Sequence, residues 1–209
     1  VAARLLSRAG SEAAFFVGIW GKAAFELDAG AYALAGIMFV VSVSMIVGSL
    51  VAGVLVDRFG PRRVLMYAEW LFVPAALAVV LADSLAVLAL LVAVWALVGA
   101  PVQTAAASFA PYLTEDVDEL RTINAWIEGA ASLAFAIGPA VGALVVRYAH
   151  VDWVFVIDAA TSLIAAVLVY GVAITPPPRA RGADATRALA QTIEGVRAVY
   201  ARRGLRYYV

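Results

Sequence analysis

A charge-free run from Tyr32 to Val56 is the feature that most constrains the fold of this chain. A helix of that composition exceeds the roughly 20 apolar residues that cross the hydrocarbon core of a bilayer. The run stops at Asp57, and a second apolar stretch, from Val64 to Leu81, holds a single charge. Gly60 and Pro61 lie between the two runs, and this pair favours a tight turn because proline cannot continue a preceding helix. The pattern predicts two membrane helices joined by a short charged turn.

The rest of the chain repeats this alternation of long apolar runs and short polar connections. Of its 209 residues, 65% are hydrophobic and 14% are charged, whereas soluble domains carry about 25% charged residues. We therefore expect an all-α membrane protein whose six transmembrane helices form one bundle. The predicted helices lie near residues 4–25, 32–56, 64–82, 85–109, 122–147 and 153–174.

Basic residues predict the orientation, because arginine and lysine accumulate in cytoplasmic loops. One side of the predicted bundle holds five of them, and the other side holds two. The tail after Thr175 adds seven arginines to the richer side. We therefore expect a multi-pass protein of the cell (plasma or inner) membrane with a cytoplasmic N-terminus. The five are Arg4, Arg58, Arg62, Arg63 and Arg121, and the two are Lys22 and Arg147.

The chain divides into a predicted six-helix bundle, residues 1–174, and a predicted cytoplasmic linker, residues 175–209. Three prolines, Pro176 to Pro178, end the last helix and begin a stiff segment. Apolar residues then recur at helical spacing from Thr186 to Arg203. This pattern favours an amphipathic helix on the membrane surface or a solvated linker helix. The chain looks truncated before a second bundle.

The charged turn carries a motif, and this motif resembles the loop between helices 2 and 3 of the major facilitator superfamily, Gly-x-x-x-Asp-Arg-x-Gly-Arg-Arg. Pro61 departs from it: one extra residue separates Gly60 from the arginine pair, unless Pro61 and Arg62 occupy the two basic positions. The resemblance implies a gating loop that latches the cytoplasmic side, and the alternative is that the arginines only anchor the loop inside. The matching residues are Gly53, Asp57, Arg58, Gly60, Arg62 and Arg63.

The fifth predicted helix contains a second motif, which resembles the Gly-x-x-x-Gly-Pro-x-x-Gly-Gly sequence of drug and metabolite exporters. Gly138, Pro139 and Gly142 match it, and Ala134 and Ala143 replace its outer glycines. Small residues let a neighbouring helix approach closely. The segment from Ala110 to Asn124 also resembles the loop of the enterobactin-exporter-like branch. The fourth helix lacks the arginine that proton-coupled exporters often carry there.

Polar residues inside the predicted membrane helices are candidates for function, because charges there are costly. Arg8 and Glu12 lie four residues apart and could pair, and Asn124 and Glu128 share a face in the same way. Glu12 or Glu128 could carry a proton, or the charges could only lock two helices together. Glu69 and Asp158 are expected near helix ends, at the interface. The predicted pathway residues are Arg8, Glu12, Gln103, Asn124 and Glu128.

The resemblance implies the N-terminal half of a secondary transporter, in which substrate binds between two six-helix bundles near the bilayer midplane. We expect efflux of a small molecule by alternating access, with proton antiport as one coupling mechanism. The alternatives are an importer of the same fold or a membrane scaffold without transport. The implied partners are the bilayer, a substrate and a second bundle or second copy. The zero net charge predicts no nucleic-acid partner. We expect no enzyme activity, cofactor or metal site.

Overall fold

The computed structural model describes residues 2–114 and 116–171, and over these ranges the chain is built from helices. The predicted linker, residues 175–209, and residues 172–174 of the predicted sixth helix lie outside the described residues. The described helices belong to one compact unit. They are α1 (Ala2–Ala13), continued by π-helical segments Ala14–Ile19 and Lys22–Glu26; α2 (Ala31–Phe59); α3 (Pro61–Val79); α4 (Leu85–Ala107); a 3₁₀ turn (Ala110–Tyr112); α5 (Val117–Tyr148); and α6 (Asp152–Tyr170).

The turn between α2 and α3 is tighter than the sequence pattern predicts, because only Gly60 separates the two helices. Its φ of 83° lies in the left-handed region, which glycine adopts without steric cost. Pro61 occupies the first turn of α3, where its missing N–H group would have no helical partner anyway. Both helices therefore extend several residues further into the charged turn than expected.

Helix α5 begins before its predicted start at residue 122, because a capping residue precedes it. One carboxylate oxygen of Asp116 accepts hydrogen bonds from the backbone N–H groups of Asp118 and Glu119, both at 2.9 Å. These donors have no partner within the helix, and an aspartate at this position satisfies them. The cap places Asn124 about two turns and Glu128 about three turns from the start of α5, which is over one turn further along than a start at residue 122 would give.

The first predicted helix changes its winding along its length. Ala2–Ala13 is α-helical, and the chain then continues as π-helix through Glu26 with a short interruption. The wider π-helix closes hydrogen bonds to the fifth residue and often marks functional sites. No feature of the sequence accounts for this change. The helical segment as a whole agrees with the expected bounds of 4–25.

Polar contacts between helix ends show that α3 runs antiparallel to α6 and in the same direction as the first helix. The Arg62 guanidinium, at the start of α3, donates to the Tyr170 carbonyl at the end of α6 (2.7 Å). The Lys22 ammonium, late in the first helix, donates to the Val80 carbonyl just after α3 (3.1 Å). Helix α2 packs on α4, α3 packs on α4 and α6, and α1 packs on α5 and α6. The first helix therefore lies against two others and reaches α3 and α4 through its side chains.

The outward faces of the bundle are strongly apolar. Large side chains on several helices are more than half exposed, among them Phe39, Ile46, Leu90 and Trp126. Four helices of the described chain, α2, α4, α5 and α6, are long and apolar enough to cross a membrane. Helix α3 begins with two arginines and contains Glu69, and α1 is short because π-helix follows it. Lipid is the solvent that suits an apolar surface of this extent.

A polar pathway through the helix bundle

A row of polar side chains along α1 organises the interior of the bundle. Arg4, Ser7 and Ser11 are spaced three and four residues apart, so they lie on one face of the helix. Each side chain contacts a polar residue of another helix. The Arg4 guanidinium donates to the Gln103 side-chain oxygen of α4 at 2.7 Å. The row therefore connects α1 to α4, α3 and α6.

Glu69 of α3 is the second contact of this row. Its side chain is buried, and the Ser7 hydroxyl donates to Oε1 at 2.9 Å. Within the described part of the chain, its other oxygen, Oε2, has no hydrogen-bond partner, and neither does the buried hydroxyl of Ser162 on α6. Among the described residues, no cationic side chain forms an ion pair with Glu69. Glu69 lies about two turns from the start of α3 at Pro61 and is buried against other helices, which the sequence pattern did not predict, whereas its position at the membrane interface stays a prediction.

Asp158 of α6 is the third contact, and it is fully buried. The Ser11 hydroxyl donates to Oδ1, and the Trp95 indole N–H of α4 donates to Oδ2, both at 2.9 Å. The carboxyl group thus joins three helices through neutral donors. No cation of the described chain pairs with it. Asp158 lies about 9 Å along α6 from Asp152, at 1.5 Å per residue, so it is both close to a helix end and buried, and its position at the membrane interface stays a prediction.

Arg8 and Glu12 lie on a second face of α1 and form the ion pair that their spacing predicts. The guanidinium and carboxylate lie 2.5 Å apart, and their side chains are 27% and 7% exposed. The Arg8 side chain is therefore partly exposed at the surface of the bundle, while the Glu12 side chain is buried. The Arg8 Nε group is buried and has no hydrogen-bond partner in the described chain.

The predicted polar face of α5 is exposed in this structure. Asn124 and Glu128 are both exposed, and neither makes a side-chain hydrogen bond or ion pair with a described residue. Glu128 lies close enough to Arg4 for electrostatic attraction, as Glu12 and Glu69 also do. The predicted network therefore divides into the Arg8–Glu12 pair and a Glu128 carboxylate whose nearby cation is Arg4. Both lie at one end of the first helix and α5.

The exporter-like motif of α5 is its packing face against α1. The buried residues of α5 are Ala130, Ala134, Gly138 and Gly142, which are spaced four apart. A Cβ atom on Gly138 would lie 2.7 Å from the Ala9 carbonyl oxygen and 2.7 Å from Glu12 Cβ. The small side chains thus permit close helix contact, as the sequence predicts. Pro139 lies within α5, next to this contact.

The residues of the charged turn differ in their exposure and contacts. Asp57, Arg58 and Arg63 are exposed, and the Arg58 guanidinium lies over the Phe59 ring at 5.3 Å. Asp57 forms no ion pair with a residue that the structure describes. Arg62 is the member that reaches another helix, through its hydrogen bond to the end of α6. Gly53 lies one turn before Asp57, and a Cβ on it would meet nothing within 4 Å.

An ionic cluster closes the opposite end of the bundle. The buried Lys22 ammonium donates to Asp152 of α6 at 2.7 Å and to Glu26 at 3.3 Å. His150 Nε2 lies 3.0 Å from Glu26, and its Nδ1 lies 3.0 Å from Asp152. In the sequence, Lys22 contributed only to the prediction of membrane orientation. Its isolation as the single lysine in an apolar segment was the available indication of a partner.

The same cluster contains the one group of side chains, among the described residues, that could hold a metal ion. Ligand atoms of Glu26, His150 and Asp152 lie within 4.8 Å of one another. However, the two carboxylates contact opposite nitrogens of the imidazole, so they do not converge beside one of them. Lys22 already supplies a cation to both acids. The arrangement therefore fits an ammonium group and not a metal ion.

Comparison with known proteins agrees with the pattern of apolar helices and buried polar contacts. A search of curated proteins returned no significant match. The sequence model of the Major Facilitator Superfamily matches residues 2–208, nearly the whole chain. Members of this family are membrane transporters of small molecules, so the bilayer is the medium of the apolar helix faces described above. The chain therefore belongs to the Major Facilitator Superfamily.

Proposed function

We propose that this chain forms a six-helix bundle of a proton-coupled secondary transporter that exports small amphipathic molecules. The buried carboxyl groups of Glu69 and Asp158 are the observation that carries this proposal. Both lie inside the bundle, and both accept hydrogen bonds from hydroxyl groups of the first helix. Ionisable groups at membrane depth are costly, and in transporters they commonly form ion pathways and proton relays. In this proposal they bind and release the transported proton.

The first helix would couple this proton exchange to movement. A change of protonation at Glu69 or Asp158 alters which hydrogen bonds Ser7 and Ser11 can make, since a protonated carboxyl also donates. Both serines belong to α1, so the two sites act on one rigid element. The π-helical continuation of α1 is consistent with a segment that changes its winding during transport.

Substrate would pass beside the second polar face. The proposed lining consists of a cationic side chain, two acids and two amides on three helices. Arg8 is partly exposed and Glu128 is exposed on the packed bundle, so both are accessible to a ligand. A second six-helix bundle, or a second copy of this one, would supply the opposite wall. The lining residues are Arg8, Glu12, Gln103, Asn124 and Glu128.

The charged turn would act as the latch of the cytoplasmic gate. Arg62 holds the start of α3 to the end of α6, while Asp57 projects outward and is free to contact a second bundle. The proposed latch comprises Gly53, Asp57, Arg58, Gly60, Arg62 and Arg63. The small-residue motif of α5 supports export over import, because it matches the exporter pattern at Gly138, Pro139 and Gly142.

Transport in proteoliposomes tests the proposal. A panel of amphipathic cations, anions and neutral compounds is followed with and without an imposed pH gradient. We expect at least one compound to move faster than in protein-free liposomes, and the pH gradient to accelerate it in the export direction. Acceleration in the opposite direction would establish an importer. Movement that is the same with and without the gradient would refute proton coupling.

Membrane topology is tested separately, because the chain contains no cysteine and any introduced thiol is unique. We propose that all six helices cross the membrane and that the N-terminus is cytoplasmic, in the plasma or inner membrane. Cysteine at Thr114, in the loop before α5, should then react with an impermeant maleimide only in inside-out vesicles. Cysteine at Ser84, before α4, should react only in right-side-out vesicles. The reverse pattern would contradict the proposed orientation.

A further inference from the structure

A groove on the outer face of the bundle lies apart from the pathway described above. It has a volume of about 700 Å³ and runs between α2, α3 and α4, at the end nearest the charged turn. Helices α2 and α3 touch little beyond their shared turn, because α2 packs mainly on α4 while α3 packs on both α4 and α6. This leaves a gap that opens outward. The side chains that define it are Leu55, Arg63, Tyr67, Leu71, Leu97 and Pro101.

The groove faces lipid and not the interior of the bundle. Tyr67 is 66% exposed, Leu71 59% and Leu97 41%, and all three belong to the walls of the groove. In a membrane protein, exposed aliphatic side chains on a helix contact acyl chains. A water-soluble ligand would find few polar partners along such walls.

A single cation stands at one end of this apolar groove. Arg63 is exposed and makes no hydrogen bond or ion pair with any described residue, and no acidic side chain of the described chain lines the groove. Its neighbour Arg62, in contrast, is engaged with the end of α6. Arg63, Tyr67 and Leu71 are spaced by four, so they form one stripe along α3 about 12 Å long. The stripe passes from charged to phenolic to aliphatic.

We propose that this groove binds an anionic phospholipid, with its phosphate group at Arg63 and an acyl chain along Leu71 and Leu97. The order of side chains along α3 matches the order of groups in a lipid: phosphate at the membrane surface, then ester and acyl chain below. Basic pockets between membrane helices bind anionic headgroups by this combination of charge and depth. Arginine suits phosphate because its planar donors fit two oxygens. The site rests on the chain lying in a bilayer and is independent of the transport direction.

Native mass spectrometry of the whole protein tests the site with defined lipids. Phosphatidylglycerol and phosphatidylcholine of the same chain length are added to protein purified in a delipidating detergent. We expect retention of phosphatidylglycerol over phosphatidylcholine. The variant Arg63→Gln should weaken that retention about fivefold, the effect of one basic residue at a membrane surface. Arg121→Gln, which removes another exposed arginine, on α5, should leave it unchanged.

A second pair of variants tests the apolar half of the groove. Leu71→Trp and Leu97→Trp fill it from opposite walls, and both positions are exposed, so folding should tolerate them. Each should reduce phosphatidylglycerol retention while thermal unfolding of the protein in detergent stays unchanged. Should one of the two fail to fold, the other provides the same test.

Several outcomes would overturn the proposal. Equal retention of the two lipids would do so, as would equal loss in Arg63→Gln and Arg121→Gln, which indicates unspecific charge attraction. Displacement of the lipid by millimolar inorganic phosphate would show a simple anion site, without a role for the acyl chain. A dimer that disappears in Leu71→Trp would show that a second copy occupies the groove. In contrast, a wild-type protein that retains phosphatidylglycerol but transports nothing would contradict the proposed function and still support the lipid site.

Discussion

Replacing Gly138 with alanine should loosen the contact between the first helix and α5. The added Cβ would lie 2.7 Å from the Ala9 carbonyl oxygen and from Glu12 Cβ, and 3.1 Å from the Ala13 nitrogen. Two of these neighbours are backbone atoms, which cannot rotate away. Ordinary contacts begin at 3.4 Å, so the helices must separate by about 0.7 Å. The shift would also move Glu12, the partner of Arg8.

The expected magnitude follows from the cost of overpacking, about 1–3 kcal/mol for an extra methyl group in a close contact. Alanine also raises helix propensity by up to about 1 kcal/mol over glycine, and this gain partly hides the steric cost. Gly129 provides the matched control, since it lies in the same helix and a Cβ there meets nothing within 4 Å. The difference between the two alanine variants isolates the steric term.

Thermal unfolding in detergent, followed by circular dichroism, measures this difference. We expect Gly138→Ala to unfold at a lower temperature than Gly129→Ala, by about 2–4 °C for each kcal/mol. Equal midpoints for the two variants would refute the close contact between α1 and α5. A higher midpoint for Gly138→Ala would mean that the helices can separate without cost.

Two further contacts make predictions of the same kind, each read from the midpoint of thermal unfolding. Trp95→Phe removes the indole N–H that donates to Asp158 and leaves a buried carboxylate oxygen without its partner. It should therefore lower the free energy of unfolding by about 1–3 kcal/mol. The control Trp153→Phe, at an exposed position, should change it by less than about 0.5 kcal/mol. An equal effect of both would contradict the hydrogen bond. Lys22→Met removes the buried cation that pairs with Glu26 and Asp152, and it should destabilise the protein by at least about 1 kcal/mol. The control Arg147→Met, at an exposed position, should have little effect. A Lys22 variant as stable as the wild type would show that this ionic cluster contributes nothing to stability.

Hydrophobic runs and turn residues predict much of the architecture. The run from Tyr32 to Val56 and the pair Gly60–Pro61 place α2, the turn and α3, although both helices extend into the charged turn and α3 ends at Val79 rather than near residue 82. The small residues of α5 predict a close helix contact, and Gly138 lies against Ala9 and Glu12 in the structure. These signals are local, since residue type and spacing act through sterics and burial.

Contacts between helices are less accessible to this reasoning. Depth along a helix can be counted from its ends, but the direction in which Glu69 or Asp158 faces depends on how the helices pack. Counting from helix ends predicts a position near the interface for both residues. It gives no information on the neighbours they face, so their donors, Ser7 and Ser11, were not predicted. Two serines spaced by four on the first helix were the available signal, because a hydroxyl is a common partner for a buried carboxyl group. Glu128 remains a predicted pathway residue.

Proton movement during substrate exchange tests the central claim most directly, that Glu69 and Asp158 are the coupling groups. A pH-sensitive dye inside proteoliposomes follows the protons, while labelled substrate from the panel experiment reports counterflow. We expect the wild type and the exposed control Glu119→Gln to couple the two fluxes. Glu69→Gln and Asp158→Asn should exchange substrate without moving protons. Proton flux of wild-type size in both variants would contradict the claim.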